Sequence, residues 1–331
     1  MKVLITGGAG FIGSTVANFF SNDDVTVVDN LKSGYLANIP SKVKFIHADC
    51  SDENLDITEK YDAIIHIAGQ PSKECSFDDV FYDLNSNAKS TLVLLELCRK
   101  IGCKRFIFIS TVCIYGGNTN PGVYTEESPC VFDSFYAVNK FTSEQYIKMY
   151  KDINYTIFRL FTCYGPAQSL KDSKKGMVAI YLNQFLNNQN VVIKGSLDRY
   201  RDFIYAEDVA IIIKKSIENT KFFNETFNLG TGVKTTIKEL LKTIDLIGDF
   251  KKDIIVDSPV PGDMFGCVAD NTKLIKVLPN FKFKTVYEGL KCIFDTYDSP
   301  SPSFSTVKVA PNFVAHSDNF NFSSPTKLQN F

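Results

Sequence analysis

Thr111, Tyr136 and Lys140 have the residue types and spacing to move a proton to or from a hydroxyl group. An unperturbed tyrosine has a pKa of about 10 and is a poor base at neutral pH. Tyr136 and Lys140 are four apart in a segment of helical pattern, Ser134 to Tyr150, so they share one helix face. An ammonium there stabilises a phenolate and lowers the tyrosine pKa, as does the positive ring of an oxidised nicotinamide. The tyrosine can then take a proton from an alcohol as hydride leaves the carbon. Y-x-x-x-K alone is common by chance. Here it follows a strand-like run, Lys104 to Ser110, and Thr111 stands just past its carboxyl end. Ligands of doubly wound sheets bind at such ends.

A hydride acceptor has a candidate site at the other end of the same pattern. Lys2–Thr6 reads as a short buried strand, followed by Gly7-Gly8-Ala9-Gly10-Phe11-Ile12-Gly13 and a helix from near Phe11. Strand, glycine turn and helix are the context a dinucleotide motif requires. The glycines permit the tight turn, the approach of a pyrophosphate and close helix–strand packing. The helix N-terminus offers unpaired N–H groups to the phosphates. Val25–Asp29 reads as the second strand, and Asp29 lies sixteen residues after Gly13. A carboxylate there accepts from the adenosine ribose hydroxyls and repels a 2′-phosphate. The next residues, Asn30, Leu31 and Lys32, include no Arg, so NAD is expected over NADP.

The elements that must position these groups alternate. Val43–Asp49 and Tyr61–Ala68 read as strands three and four, Val80 to Ile101 as a long helix, and Tyr155 to Phe161 as a sixth strand. Alternation predicts a parallel, doubly wound α/β sheet of Rossmann type. Beyond Pro166 the pattern changes. Ala167 to Gly176 reads as a polar lid, Gly176–Asn188 as a helix and Val191–Gly195 as a strand. Asp208–Asn219, Thr236–Ile247, Asn271–Leu278 and Thr285–Tyr297 read as helices. The expected organisation is an NAD-binding domain over 1–166, to which about 201–230 returns, and a smaller mixed α/β substrate lobe over 167–298. A low-charge, Ser/Pro/Asn-rich tail follows over 299–331; its five phenylalanines leave open whether it is disordered or docks.

From Met1 to about Tyr297 the chain resembles the extended short-chain dehydrogenase/reductase family, in its nucleotide-sugar epimerase/dehydratase branch. The motifs carrying the resemblance are Thr6–Gly13, Asp29, Asp49, His66-Ile67-Ala68-Gly69, Asn87 and Ser110–Gly116. They continue with Tyr136/Lys140, Phe161-Thr162-Cys163-Tyr164-Gly165-Pro166, Arg201-Asp202-Phe203 and Pro261-Gly262-Asp263. The resemblance implies that Thr111, Tyr136 and Lys140 are a catalytic triad. It implies a cofactor set of Gly7, Gly10, Phe11, Ile12, Gly13, Asp29, Asn30, Asp49, Cys50, Ala68, Gly69, Asn87, Tyr136, Lys140 and Phe161. The implied substrate set is Thr111, Thr162, Met177, Arg201, Asp263 and Cys267. Arg201 would bind the substrate diphosphate, a role its planar fork suits.

Within that branch the residues after Thr111 discriminate between reactions. Sugar 4,6-dehydratases carry Asp-Glu where this chain has Val112-Cys113, and UDP-glucuronate decarboxylases keep the Glu. GDP-fucose-synthase-like enzymes pair a Cys at the place of Cys113 with a His, and no His occurs between His66 and His316. Cys113 is then read as a packing residue. The remaining set is what a 4-epimerase needs, acting on UDP-gluco and UDP-galacto hexoses through a 4-keto intermediate. Thr162 resembles UDP-glucuronate 4-epimerases, and Val260 stands where many members have an Arg. Cys267 matches a position where a small residue admits N-acetylated sugars, unless it merely packs. A reductase with net cofactor turnover and a non-catalytic NAD sensor are the alternative readings.

Composition bounds the rest. The chain has 331 residues, 44% apolar, with a net charge of −1. That supports a sizeable core and gives no electrostatic case for nucleic acid or membrane partners. No apolar run reaches transmembrane length. With strand pattern from Lys2, no secretory leader is expected. Nine cysteines without close metal-type pairs fit reduced thiols in the cytoplasm, and no metal site is expected. The resemblance implies a homodimer through the helices 80–101 and 134–150.

Overall fold

Seven segments rich in β-branched and aromatic residues form one sheet. They are β1 (Lys2–Thr6), β2 (Asp24–Asp29), β3 (Lys44–His47), β4 (Ala63–His66), β5 (Arg105–Thr111), β6 (Asn154–Leu160) and β7 (Glu225–Leu229). The computed structural model describes residues 1–116, 122–170, 176–258 and 264–298. The strand order is β7-β6-β5-β4-β1-β2-β3, and every pairing is parallel. β1, β4 and β5 are buried along nearly their whole length rather than at alternate residues. That is the pattern of a parallel sheet covered on both faces.

The helices that cover it include α1 (Phe11–Phe19), α2 (Ser90–Ile101), α3 (Phe135–Met149) and α4 (Ala206–Glu218). α4 packs on α1, and α2 on α3. One core joins Val3, Ile5, Val16, Val27 and Ile107 to Ile212 and Ile213 of α4. Another, on the opposite face, joins Leu4, Ile64 and Phe106 to Leu94, Leu95 and Ile147. Strand order reverses between β1 and β4, which leaves a crevice beyond their carboxyl ends.

The long helix read over 80–101 is interrupted. Val80–Leu84 is α-helical, Asn85–Lys89 forms a wider π-type turn, and α2 follows from Ser90. Such turns recur at functional sites, and this one contains Asn87. β7 was not legible as a strand, because Glu225, Thr226 and Asn228 break its apolar run. β3 and β4 are shorter than the runs 43–49 and 61–68.

Short strands pair outside the main sheet. Thr162–Tyr164 pairs with Phe203–Tyr205, Gly122–Tyr124 with Cys267–Ala269, and Val191–Lys194 with Ile254–Asp257. Helices Met177–Leu186, Ile237–Gly248 and Val286–Asp298 gather around a core that includes Tyr164, Leu182, Phe203 and Leu240. Ile237–Gly248 starts with a reciprocal cap between Thr236 and Glu239. The tail 299–331, Val260 to Asp263 and part of the expected lid, 171–175, lie outside the described residues. No helix among the described residues is long and apolar enough to cross a membrane.

Candidate active site

The glycine turn closes over the carboxyl end of β1. Gly7 has φ +73°, and a Cβ there would meet the Ala68 Cα and N at 2.7 Å. A Cβ on Gly13 would collide with the Gly7 carbonyl. The Gly7 N–H donates to Val28 O at 2.8 Å, tying the turn to β2. The first turn of α1 carries no acid, so its N-terminus stays favourable for an anion.

Asp29, at the end of β2, is held by two backbone donors, Ala9 N at 3.0 Å and Leu31 N at 2.8 Å. Leu31 adopts φ +56°, so this junction is locally strained. Asn30 Nδ2 donates to Asp49 at 2.9 Å, and Ser51 donates twice to its other oxygen. Burial pushes the Asp49 carboxyl up, but the Ser51 and Asn30 bonds outweigh it and hold it below the usual range. Burial raises the Cys50 thiol, which is therefore inert. Beside these acids Lys32 Nζ sits 3.2 Å over the centre of the Tyr82 ring, a contact the sequence did not announce.

His66 is fully buried and bridges β1 to α2, with Nδ1 2.8 Å from Thr6 Oγ1 and Nε2 3.2 Å from Thr91 Oγ1. Burial keeps the imidazole neutral. It is a structural relay between strand and helix. Next to it Gly69 adopts φ +151°, and a Cβ there would run into Asn87 Oδ1. Asn87 Nδ2 donates to Gln70 O at 3.2 Å and Asp83 Oδ1 at 3.1 Å. Among the described residues Asn87 Oδ1 is the buried side-chain polar atom without a hydrogen-bond partner. An orphaned acceptor beside a glycine cradle fits a ligand that brings a donor. The donor-rich turn at Gly7–Gly13 and the carboxylate of Asp29 fit a diphosphate and a ribose.

Thr111 ends β5, and its Oγ1 accepts from Cys113 N at 3.2 Å. Ser134 caps α3 by accepting from Ala137 N at 3.3 Å, which starts the helix at Phe135, one residue before Tyr136. Tyr136 is 8% exposed, and the Thr111 side chain lies close enough to its hydroxyl to favour the phenolate. Lys140, one helical turn on, lies with its Nζ 4.3 Å over the Phe108 ring. The sequence pointed to Lys140 lowering the tyrosine pKa. In the protein alone burial dominates both groups. It pushes Tyr136 well above its ordinary value, drawn back by the Thr111 side chain. It pushes Lys140 down to about 7, opposed by the charges of Asp83 and Glu144.

That burial has a consequence for stability. In the unfolded chain a lysine titrates near its ordinary value of about 10.4. Below pH 7 both states hold the proton, and the native state bears the full penalty of burying it. Between pH 7 and 10 the unfolded state binds more protons, so native stability rises with pH. Lys140→Met in NAD-free protein is expected to unfold at higher denaturant than the wild type at pH 6. The gap should close towards pH 10. Urea melts at both pH values check this, and a gap that widens with pH would contradict it.

Phe161 is buried, and Thr162 is half-buried at the start of its strand. Arg201 is buried, and its Nη1 donates to Tyr200 O at 2.8 Å. Its charge reaches both Cys113 and Cys267. Cys267 is 1% exposed and belongs to a buried cluster with Val112, Phe161 and Met264. Met177 is half-buried at the first turn of its helix. Asp263 lies outside the described residues. Three groups escaped the sequence reading: the buried Asp83, Glu144, and Arg199, which feels the charge of Arg201. Arg199 was detectable from its i, i+2 spacing to Arg201.

The arrangement unites a phosphate-sized backbone cradle with a buried hydroxyl pair able to exchange a proton with an alcohol. The model of the NAD dependent epimerase/dehydratase family matches residues 3–230. The chain is 32% identical over 293 residues to the UDP-glucose 4-epimerase of Mycolicibacterium smegmatis, covering 84% of this chain and 92% of that one. It is similar to the crystal structure of UDP-glucose 4-epimerase with UDP-glucose from Thermotoga maritima. There the TM-score is 0.84 at 32% identity, over 90% of this chain and 98% of that chain. The UDP-N-acetylglucosamine 4-epimerase of Methanobrevibacter ruminantium, in complex with UDP-N-acetylmuramic acid, gives a TM-score of 0.82 at 28% identity. It covers 89% of this chain and 98% of its own.

Proposed function

This chain belongs to the NAD dependent epimerase/dehydratase family, and we propose that it is a UDP-hexose 4-epimerase interconverting gluco and galacto sugars. The observation that carries this reading is the buried Thr111–Tyr136 pair, followed by Val112 and Cys113 rather than by an acid. With no carboxylate there to drive elimination, proton exchange at one hydroxyl is the chemistry the pair supports. Tyr136 removes the C4 hydroxyl proton and later returns it. Thr111 orients the reacting oxygen. Lys140 holds positive charge beside the phenolate as it forms. The Gly7–Gly13 turn cradles the cofactor diphosphate, and Asp29 accepts from its ribose. When bound, NAD supplies a reversible hydride acceptor. Arg201 holds the sugar-nucleotide diphosphate, and the residues after about 166 form the sugar lobe.

A homodimer belongs to the same reading. Phe77, Phe81, Leu84, Phe135, Val138 and Met149 are exposed on the 75–84 segment and α3, Phe81 by 73%. The Phe77 and Phe135 rings lie 5.4 Å apart, so the patch spans both segments. Apolar surface of this kind marks an interaction face.

The test is to incubate purified protein with UDP-glucose, UDP-N-acetylglucosamine and UDP-glucuronate separately, with no added cofactor, and follow the sugar C1 proton by NMR. The matching galacto-configured signal is expected for at least one of them. No conversion of any, in protein shown to hold NAD, would remove the UDP-hexose reading. Stoichiometric loss of reduced cofactor with a keto sugar would favour a reductase instead.

A further inference from the structure

We propose that Asp83 is a positioning residue of the NAD cradle, fixing Asn87 so that its carbonyl oxygen faces the cofactor. This rests on the NAD site described above. Asp83 is 0% exposed. Its Oδ1 accepts from Gln70 Nε2 at 2.8 Å and Asn87 Nδ2 at 3.1 Å, and its Oδ2 from Asn139 Nδ2 at 2.7 Å. One carboxylate thereby joins the loop after β4, the wide turn of residues 85–89, and α3 next to Lys140.

An ionised carboxylate only accepts, so every amide bound to it must present its NH2 group. Turning the Asn87 amide over would set its carbonyl oxygen against a carboxylate oxygen. Gln70 O, the second acceptor of Asn87 Nδ2, enforces the same orientation. Asn87 Oδ1 is therefore left pointing the other way, against Gly69 and without a partner. A buried acceptor is costly to leave unmet. The complement is an O–H or N–H donor, the class that ribose hydroxyls and a carboxamide supply. Burial pushes the Asp83 carboxyl above its ordinary range, and the three amide donors and the charge of Lys140 draw it only part of the way back.

The assignment separates Asp83 from a residue that only packs. Acting through Asn87, it must lose its effect on the cofactor when Asn87 is gone. Five full-length proteins decide this: wild type, Asp83→Asn, Asp83→Glu, Asn87→Ala and the double variant Asp83→Asn with Asn87→Ala. Bound NAD per chain after purification, the Kd for NAD of stripped protein, and Tm with and without NAD are read for each.

Asp83→Asn is expected to keep its fold and bind NAD about tenfold more weakly, while adding less than about twofold in the Asn87→Ala background. Asp83→Glu keeps a carboxylate acceptor and should recover part of the affinity. Wild-type affinity in D83N, multiplication of the two single losses, or no recovery in D83E overturns the assignment. A wild-type chain that holds no NAD overturns the cofactor site itself, a result separate from failure of D83N alone.

Discussion

Tyr136→Phe is expected to lower the epimerisation turnover number by about 10²- to 10⁴-fold, the range spanned by a positioned general acid or base. The change removes one oxygen and leaves the ring in a site that is 8% exposed, so packing survives. Thr111 keeps its bond from the Cys113 N–H. Bound NAD and Tm should therefore match the wild type. The loss should fall on kcat rather than KM, because the proton is in flight only in the transition state. Residual activity within tenfold of the wild type would assign the proton to another group. The wild-type rate should rise with pH through the neutral range, since burial raises the Tyr136 pKa and only the phenolate is a base.

The parts of this molecule that make backbone demands were legible in its sequence. Gly7 and Gly13 stand where any side chain would strike the backbone of Ala68 or Gly7, so residue type reports geometry directly. Tyr136 and Lys140 report a helix face by spacing alone. What stayed hidden depends on partners far apart in the chain. Asn228 is the fourth of the five residues of β7 and looks like a strand breaker. It is buried because Tyr115 donates to its Oδ1 at 2.6 Å while its Nδ2 donates to Tyr124 O. Asp83 gathers amides from positions 70, 87 and 139, and no local pattern announces that. A four-residue spacing carries no information on burial, and burial is the larger effect on both Tyr136 and Lys140 in the protein alone.

The largest stability effect should come from Glu144, one turn beyond Lys140 on α3. Its side chain is 0% exposed. Its carboxylate accepts from Ser110 Oγ at 2.6 Å and from Arg159 Nε at 3.1 Å and Nη2 at 2.8 Å. Arg159 is equally enclosed, and its Nη1 donates to Tyr115 Oη at 3.0 Å and Glu126 O at 2.8 Å. Lys148 Nζ lies 3.9 Å from Glu144 at the edge of the pair, but removing Glu144 still leaves the Arg159 charge buried among neutral partners. Glu144→Gln is expected to cost about 3–5 kcal/mol of unfolding free energy, the range for breaking such a pair. Replacing both residues, as Glu144→Leu with Arg159→Met, should recover most of that loss, because no charge is then stranded. Urea denaturation of the single and double variants measures this. A single variant within about 1 kcal/mol of the wild type would mean that water or a rearranged Arg159 compensates. Ser110 precedes Thr111, and Glu144 helps keep Lys140 charged, so the pair also fixes the site from behind. Glu144→Gln should consequently lose turnover at temperatures where it remains folded, whereas the double variant should regain stability without regaining full turnover.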